Sequence, residues 1–211
     1  MNKRQELIDE LIKADQDGTY KTYKSTEEIK AMNNEEIQKE INMERKIRPA
    51  KPSDAEQILD HTKICGGETD NMSYGEEGFN ITIEEEEKIL EKIGKSQKQA
   101  LFVAEVDGQI VGTGTYTGSN NKRMAHRGSI GLCVQKLYWS QGIGSALIEA
   151  LIGFGKNTGQ AKIISLGVRS DNHAAIHLYE KYGFKKIGTF EGYYEIEGKL
   201  IDVDYMNLKL F

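Results

Sequence analysis

The most constraining feature of this 211-residue chain is an apolar run, residues 132–134, followed by two closely spaced glycines and a helix-forming stretch. The run is typical of a buried strand, and Gly142 and Gly144 open a segment whose apolar residues recur at helical spacing. Glycines at such a junction let a ligand approach the backbone, and the free N–H groups of a first helical turn attract an anion. The segment predicts a strand–turn–helix unit that binds a phosphate group.

Two well-known phosphate-binding motifs do not fit these glycines. A P-loop requires Lys and then Ser or Thr after its last glycine, whereas Gly144 is followed by Ser145 and Ala146. The dinucleotide fingerprint requires a third Gly or Ala at the position that Leu147 occupies. Taken alone, the glycines are equally consistent with a tight turn that has no ligand.

The surrounding chain, residues 46–211, predicts an α/β (α+β) domain in the order β-α-α-β-β-β-α-β-α-β-β. Asp107-Gly108 and Glu197-Gly198 each separate two strand-like runs, a pattern typical of β-hairpins. We therefore expect a mixed, mostly antiparallel sheet of about six to seven strands flanked by helices. Residues 66–78 are expected to form a loop, and Thr82 with Glu85 predicts a capping box that opens an acidic helix.

The first 45 residues predict a helical N-terminal extension. The apolar residues that recur at helical spacing are Leu7, Ile8, Leu11, Ile12, Ile29, Met32, Ile37 and Ile41. We expect Asn34 to cap the second of two helices and residues 17–20 to separate them. An apolar face of this kind usually covers the core of its own domain, with a homodimer contact as the alternative.

Composition excludes several classes of function. The net charge of −5 argues against nucleic-acid binding, and the sequence contains neither a membrane-length apolar run nor a signal-peptide core, which favours a cytoplasmic protein. Cys65 and Cys133 are too few for a disulfide framework or a zinc quartet, and a strand position favours a buried packing role for Cys133. His173 and His177 have helical i, i+4 spacing but no evident third ligand, so no metal is expected.

A second motif lies downstream of the glycine turn. Its residues are Asn172, Ala175, Tyr179, Gly183 and Phe184. Together with the turn, this spacing resembles the GNAT superfamily of acetyltransferases over residues 46–211. In that family the turn reads Arg/Gln-x-x-Gly-x-Gly/Ala, and this chain departs from it at the first position, which is Trp139.

The resemblance implies an enzyme that binds acetyl-CoA and transfers its acetyl group to a primary amine. The implied cofactor-binding residues are Leu132, Cys133 and Val134 through their backbone, Ser140, Gln141, Gly142, Ile143, Gly144 and Ser145 in the turn, and Asn172 and Tyr179. Tyr179 is the implied catalytic residue, since a phenol can protonate the departing thiolate. An N–H group, that of Val134, would then stabilise the oxyanion.

The acceptor is expected to be a small-molecule amine or a protein N-terminus. The terminal hairpin mixes aromatic and acidic residues that favour a cationic amine: Phe190, Glu191, Tyr193, Tyr194, Glu195 and Asp202. The general base stays open among Glu105, Glu191, Glu195 and a water chain. The alternative function is a non-catalytic acyl-CoA-binding regulatory module that interacts through its N-terminal helices, against which the presence of Tyr179 argues.

Overall fold

The computed structural model describes residues 3–17, 26–42 and 45–211. The helices in these ranges are α1 (Lys3–Asp17), α2 (Thr26–Ala31), α3 (Asn34–Asn42), α4 (Ala55–Glu68), α5 (Ile83–Gly94), α6 (Ile143–Asn157) and α7 (His173–Lys181). The strands are β1 (Arg45–Pro49), β2 (Gln99–Val106), β3 (Gln109–Gly118), β4 (Arg127–Val134), β5 (Ile163–Arg169), β6 (Lys185–Ile196) and β7 (Lys199–Lys209). From β1 onward, this order of helices and strands is the predicted one.

The strands form one seven-stranded sheet in the order β1-β2-β3-β4-β5-β7-β6. Only β4 and β5 run parallel to each other, and every other neighbouring pair is antiparallel. The predicted mixed and mostly antiparallel sheet is therefore confirmed. The parallel pair lies in the middle of the sheet, where a helix is needed to carry the chain from one strand to the next.

Both predicted hairpin turns are confirmed by their backbone angles. Asp107 and Gly108 have φ values of 49° and 80°, and Glu197 and Gly198 have values of 51° and 77°. Two successive positive φ angles are the requirement of the two-residue turn that matches the twist of a β-hairpin. The Asp-Gly and Glu-Gly pairs thus define the β2–β3 and β6–β7 connections.

Helices cover both faces of the sheet. Val103 packs with Ile58 of α4 and Leu90 of α5, whereas its neighbour Ala104 packs with Leu147 of α6. Because consecutive strand residues point to opposite faces, α4 and α5 lie on one side of the sheet and α6 on the other. The site described below lies where α6 begins.

Helix α4 extends further than the sequence predicts. Gly66 and Gly67, which we expected to begin a loop, belong to its last turn. A Cβ added at Gly66 would lie 1.8 Å from the carbonyl oxygen of Gly75. The glycine is therefore required by the close approach of the following loop rather than by a break in the helix. The predicted capping box is confirmed, because Glu85 N donates to Thr82 Oγ1 and Thr82 N donates to Glu85 Oε2.

The N-terminal helices differ from the prediction in how they bury their apolar face. Leu7, Ile8, Leu11, Ile29 and Ile37 form a cluster of their own, with Ile12 and Met32 packed against it. These residues cover one another instead of the core of the sheet domain. Within the described ranges, no helix combines the length and the apolar character that crossing a membrane requires.

Two details of the extension also differ. The cap of α3 is Asn33 rather than Asn34, because Glu36 N donates to Asn33 Oδ1 over 3.0 Å and Asn33 N donates to Glu36 Oε2 over 2.7 Å. This is a reciprocal capping box. Of the residues predicted to separate the helices, Asp17 ends α1, and residues 18–20 lie outside the described residues, as does the side chain of Ile41.

Candidate active site

Strands β4 and β5 are joined at one end and separate along the rest of their length. Their pairing is confined to Arg127–Ile163, Gly128–Ile164 and Ser129–Ser165, although β4 continues to Val134 and β5 to Arg169. Their outer edges stay paired with β3 and β7 to the strand ends. Within residues 45–211, all of which the structure describes, the facing edges therefore enclose a gap. Backbone N–H and C=O groups that point into this gap are open to a ligand.

The strand register shows which amides of β4 point into the gap. Gln135 N donates to Val111 O over 2.9 Å, and hydrogen-bonded pairs alternate along an antiparallel ladder. Cys133 and Thr113 are therefore hydrogen-bonded to each other, while the N–H groups of Leu132 and Val134 point away from β3. This contradicts the expectation for Cys133, whose backbone groups are engaged within the sheet. The N–H groups of Leu132 and Val134 face the gap, so their predicted contact with a ligand stays a prediction.

Trp139 orients the end of β4. Its indole Nε1 donates to the carbonyl oxygen of Val134 over 2.6 Å, so this carbonyl has a partner although it lies beyond the β4–β5 pairing. The Trp that departs from the family pattern thus has a local structural role, which the sequence analysis missed. The available signal in the sequence was that the single Trp of the chain lies next to the glycine turn.

The turn between β4 and α6 contains two positive φ angles. Ser140 has φ 58°, and Gly142 has φ 76° and precedes the first residue of α6. Gln141 fixes this turn with its side chain, because Nε2 donates to Leu137 O over 2.9 Å and Oε1 accepts from Arg45 Nη2 over 3.4 Å. The Gln141 side chain is thus oriented by the turn itself and by β1.

The first turn of α6 presents donors without an acidic neighbour. The first intrahelical bond runs from Ala146 N to Gly142 O over 3.0 Å, so the N–H groups of Ile143, Gly144 and Ser145 precede the hydrogen-bonded ladder. This turn contains no acidic residue and no side-chain cap. Three amides at the positive end of a helix dipole form an anion site suited to a phosphate group.

Helix α7 approaches α6 beside this turn. A Cβ added at Gly144 would lie 3.1 Å from Cδ2 of Leu178. At the start of α7, Asn172 Oδ1 accepts from Ala175 N over 3.2 Å and caps the helix. The Asn172 carbonyl is therefore engaged in the cap, and its Nδ2 amide group is the part that can donate to a ligand.

Tyr179 is buried on α7, with 7% of its surface exposed. Its ring packs edge-on against Phe184 with a centroid distance of 5.8 Å. Burial raises the pKa of the Tyr179 phenol to about 12, and the nearby thiol of Cys133 adds to this rise. The phenol is consequently protonated at neutral pH and can act as a proton donor. This electrostatic interaction shows that the Tyr179 phenol of α7 lies near the Cys133 side chain of β4.

Cys133 belongs to a buried cluster of one histidine and two cysteines that was not predicted from the sequence. Because Val134 packs toward α6, the preceding Cys133 points to the opposite face, where α4 carries His61 and Cys65. One donor atom from each of these three residues lies within 4.8 Å of the others. The hydrogen bond with Cys133, together with burial, holds the pKa of the Cys65 thiol above its usual range. His173 and His177, by contrast, are exposed on α7.

The terminal hairpin presents an aromatic group rather than a row of free acids. Tyr193 contacts Phe190, Tyr194 and Tyr205 with centroid distances of 5.2, 4.7 and 6.3 Å. Asp202 accepts from Gly192 N over 2.8 Å and so supports the irregular part of β6.

The three carboxylates considered as the general base lie in two different settings. Glu105 is hydrogen-bonded to Arg48 over 2.8 Å, so it belongs to an ion-pair network between β1 and β2. Glu191 and Glu195 are exposed on β6. None of the three carboxylates lies on β4 or β5, the strands that enclose the gap.

Comparison with known proteins assigns a family to this arrangement. Residues 67–184 match the model of the acetyltransferase (GNAT) family. The L-amino acid N-acetyltransferase AaaT of Escherichia coli is 33% identical over 121 residues, which cover 57% of this chain and 72% of that protein. An N-alpha-acetyltransferase of Sulfurisphaera tokodaii is 36% identical over 108 residues, covering 47% of this chain and 65% of that protein.

Solved structures share the fold of the sheet domain. A GNAT-family acetyltransferase from Streptococcus pneumoniae superposes with a TM-score of 0.77 at 36% identity, covering 79% of this chain and all of the other. The structure of yncA, a putative acetyltransferase from Salmonella typhimurium with its cofactor acetyl-CoA, has a TM-score of 0.69 at 18% identity, covering 79% and 94%. About a fifth of the present chain is thus not covered by either structure.

Proposed function

The chain belongs to the acetyltransferase (GNAT) family and is an N-acetyltransferase, and we propose that it acetylates the α-amino group of an amino acid or of a polypeptide N-terminus. The observation that supports acetyl-CoA as the donor is the gap between β4 and β5, which ends at the N-terminus of α6. A thioester with a phosphate-bearing arm fits a site that offers strand amides at one end and helix amides at the other.

The acceptor class is inferred from the named relatives. AaaT acts on L-amino acids, and the relative from Sulfurisphaera tokodaii is an N-alpha-acetyltransferase. A free amino acid and a polypeptide N-terminus share an α-amino group next to a carbonyl carbon. The aromatic group around Tyr193 supports a cationic acceptor, because ring faces attract ammonium groups.

Acetyl-CoA binding divides between two sets of amide donors in this proposal, all of them backbone groups except the side chain of Asn172. The N–H groups of Ile143, Gly144 and Ser145 hold the pyrophosphate, while Leu132 and the Nδ2 group of Asn172 contact the pantetheine arm. Ser140, Gln141 and Gly142 shape the turn through their backbone. The binding energy then comes mainly from amides, so that a basic side chain at position 139 is not required.

Two residues act on the reacting thioester. The acceptor ammonium first loses a proton to water, and the N–H of Val134 stabilises the negative charge that develops on the carbonyl oxygen when the resulting neutral amine attacks the carbonyl carbon. The carbon–sulfur bond then breaks, and Tyr179 donates its proton to the departing sulfur. The new amide nitrogen loses its extra proton to water, and the phenolate of Tyr179 regains one from solvent.

An acceptor panel tests the proposal. The purified protein is incubated with acetyl-CoA and with free L-amino acids, with peptides that have a free N-terminus, and with Nα-blocked lysine. Mass spectrometry locates the acetyl group, and thiol release measures turnover. We expect acetylation of α-amines and little of the lysine side chain. Efficient acetylation of side-chain amines with none of any α-amine would contradict the acceptor class but not the family.

A further inference from the structure

We propose that His61, Cys65 and Cys133 form a binding site for a thiophilic metal ion, with Zn²⁺ as its occupant. Two thiols and one imidazole are the donors that zinc prefers in proteins, and three protein ligands leave a fourth position open. The site holds two elements together, because His61 and Cys65 belong to α4 and Cys133 to β4. It is independent of which amine the enzyme acetylates.

The spacing of the donors suits tetrahedral coordination. Zinc–sulfur bonds of about 2.3 Å and zinc–nitrogen bonds of about 2.0–2.1 Å place tetrahedral donors roughly 3.5–3.8 Å apart. The Cys65 Sγ atom lies 3.7 Å from Nε2 and 3.8 Å from Nδ1 of His61, and the Cys133 donor completes a set within 4.8 Å. The longer separations within this set must shorten for the donors to enclose an ion, and rotation of the side chains about their χ angles is the movement that would bring the donors together.

The two ligands on α4 are arranged by the helix itself. Residues four apart lie one above the other on the same face, so His61 and Cys65 both point toward the sheet. Their exposed fractions are 1% each, and that of Cys133 is 7%. The ligands are thus shielded from solvent, and the surrounding structure holds them in place.

Charge favours a divalent ion over other occupants of this pocket. Binding of Zn²⁺ displaces one proton from each thiol, and the two thiolates neutralise the ion. The complex with a neutral imidazole therefore carries no net charge, which lowers the cost of burying the ion. The buried phenol of Tyr74 interacts electrostatically with both thiols and so borders the same pocket.

Gln135 supplies an outer partner for the histidine. Its Nε2 atom lies 3.3 Å from His61 Nδ1 and also donates to Ile110 O over 3.3 Å. A half-turn of this amide would give up the bond to Ile110 O, present Oε1 to an Nδ1–H group and leave His61 Nε2 free to bind the metal. Partners of this type fix the tautomer and orientation of metal-binding histidines.

Cobalt titration of the whole protein tests the site. After treatment with a chelator and a phosphine reductant, the protein is titrated with Co²⁺ and then with Zn²⁺. We expect one Co²⁺ per chain, with sulfur-to-cobalt charge-transfer bands and tetrahedral visible bands that Zn²⁺ abolishes. Zinc should also raise the melting temperature. Wild-type protein that shows no thiolate–cobalt bands would overturn the proposal.

Variants distinguish this site from surface binding. Cys65→Ser and His61→Gln should each weaken Zn²⁺ binding by at least about 100-fold, since removing a ligand exceeds the 10–100-fold effect of an outer partner. Gln135→Ala keeps all three ligands and should weaken binding by about 10–100-fold. His177→Gln removes an exposed histidine and should change nothing. Unchanged affinity in both Cys65→Ser and Gln135→Ala would also overturn the proposal.

Discussion

The indole Nε1 of Trp139 donates a 2.6 Å hydrogen bond to the carbonyl oxygen of Val134. This bond connects the turn before α6 to the last residue of β4, and so links the anion site to the strand edge that faces the gap. The Val134 carbonyl shares its rigid peptide plane with the N–H of Gln135, which donates to Val111 O, so the two hydrogen bonds together fix the end of β4. Trp139, which departs from the family pattern, thus stabilises the end of β4.

We expect Trp139→Phe to lower activity more than cofactor affinity. The change removes the donor and leaves a large aromatic ring, so the free energy of unfolding should fall by only about 0.5–1.5 kcal/mol. Loss of orientation at Val134 should reduce kcat several-fold. Steady-state kinetics measures the change in kcat, and urea denaturation measures the change in the free energy of unfolding. Leu137→Ala, in the same turn with 77% of the Leu137 surface exposed, is the control and should affect neither.

Gly144→Val should prevent coenzyme A binding. The new side chain would enter the space between α6 and Leu178 of α7 and obstruct the amides of the first turn. Gly153→Val is the matched control, because it places the same residue in the same helix where a Cβ meets no atom within 4 Å. Calorimetry should detect binding to the control only. Equal affinity of two well-folded variants would remove the α6 N-terminus from the cofactor site.

Much of the fold follows from local sequence signals, and the exceptions have physical causes. The Asp107-Gly108 turn and the Thr82 capping box are set by neighbouring residues, so the sequence predicts them. Gly66 was misassigned because the carbonyl that requires it comes from Gly75, in a loop whose path depends on tertiary packing. The apolar face of α1 was correctly identified, but periodicity does not specify which surface covers it.

The candidate site shows the same division. The motifs around Gly142 and Tyr179 could be recognised because each is defined by residue spacing within a short segment of the chain. The relation of His61 to Cys133 was missed because 72 residues separate them in the sequence. Only the packing of α4 on the sheet brings the two side chains together. The orientation of Cys133 depends on the β3–β4 register, which alternating strand patterns do not fix.

Tyr179→Phe should lower kcat by about 10²–10⁴-fold while acetyl-CoA affinity changes little. The variant keeps the ring that packs on Phe184 and removes only the hydroxyl. Because the pKa of about 12 keeps the wild-type phenol protonated at neutral pH, its loss is the loss of a proton donor. The defect should shrink with an acyl donor whose leaving thiol is more acidic. A stable variant with full kcat on both donors would exclude Tyr179 from the mechanism.

Removal of the N-terminal extension should leave acetyl transfer intact. A chain that begins at Glu44 retains Arg45, which contacts Gln141 in the turn, and loses only helices whose apolar residues cover one another. Turnover and calorimetry compare this chain with the full-length protein. A truncated protein that folds and binds the cofactor but has no turnover would instead assign the extension to the acceptor site.

Hydrogen exchange at single-residue resolution, with and without acetyl-CoA, locates the cofactor on the fold. We expect the cofactor to slow exchange at the amides of Leu132 and Val134 in the gap and of Gly144 and Ser145 in the first turn of α6. The amide of Cys133 should be slow in both states, because it is already paired with Thr113. Protection by acetyl-CoA at another edge of the sheet, with no change at Val134 and Gly144, would contradict the account.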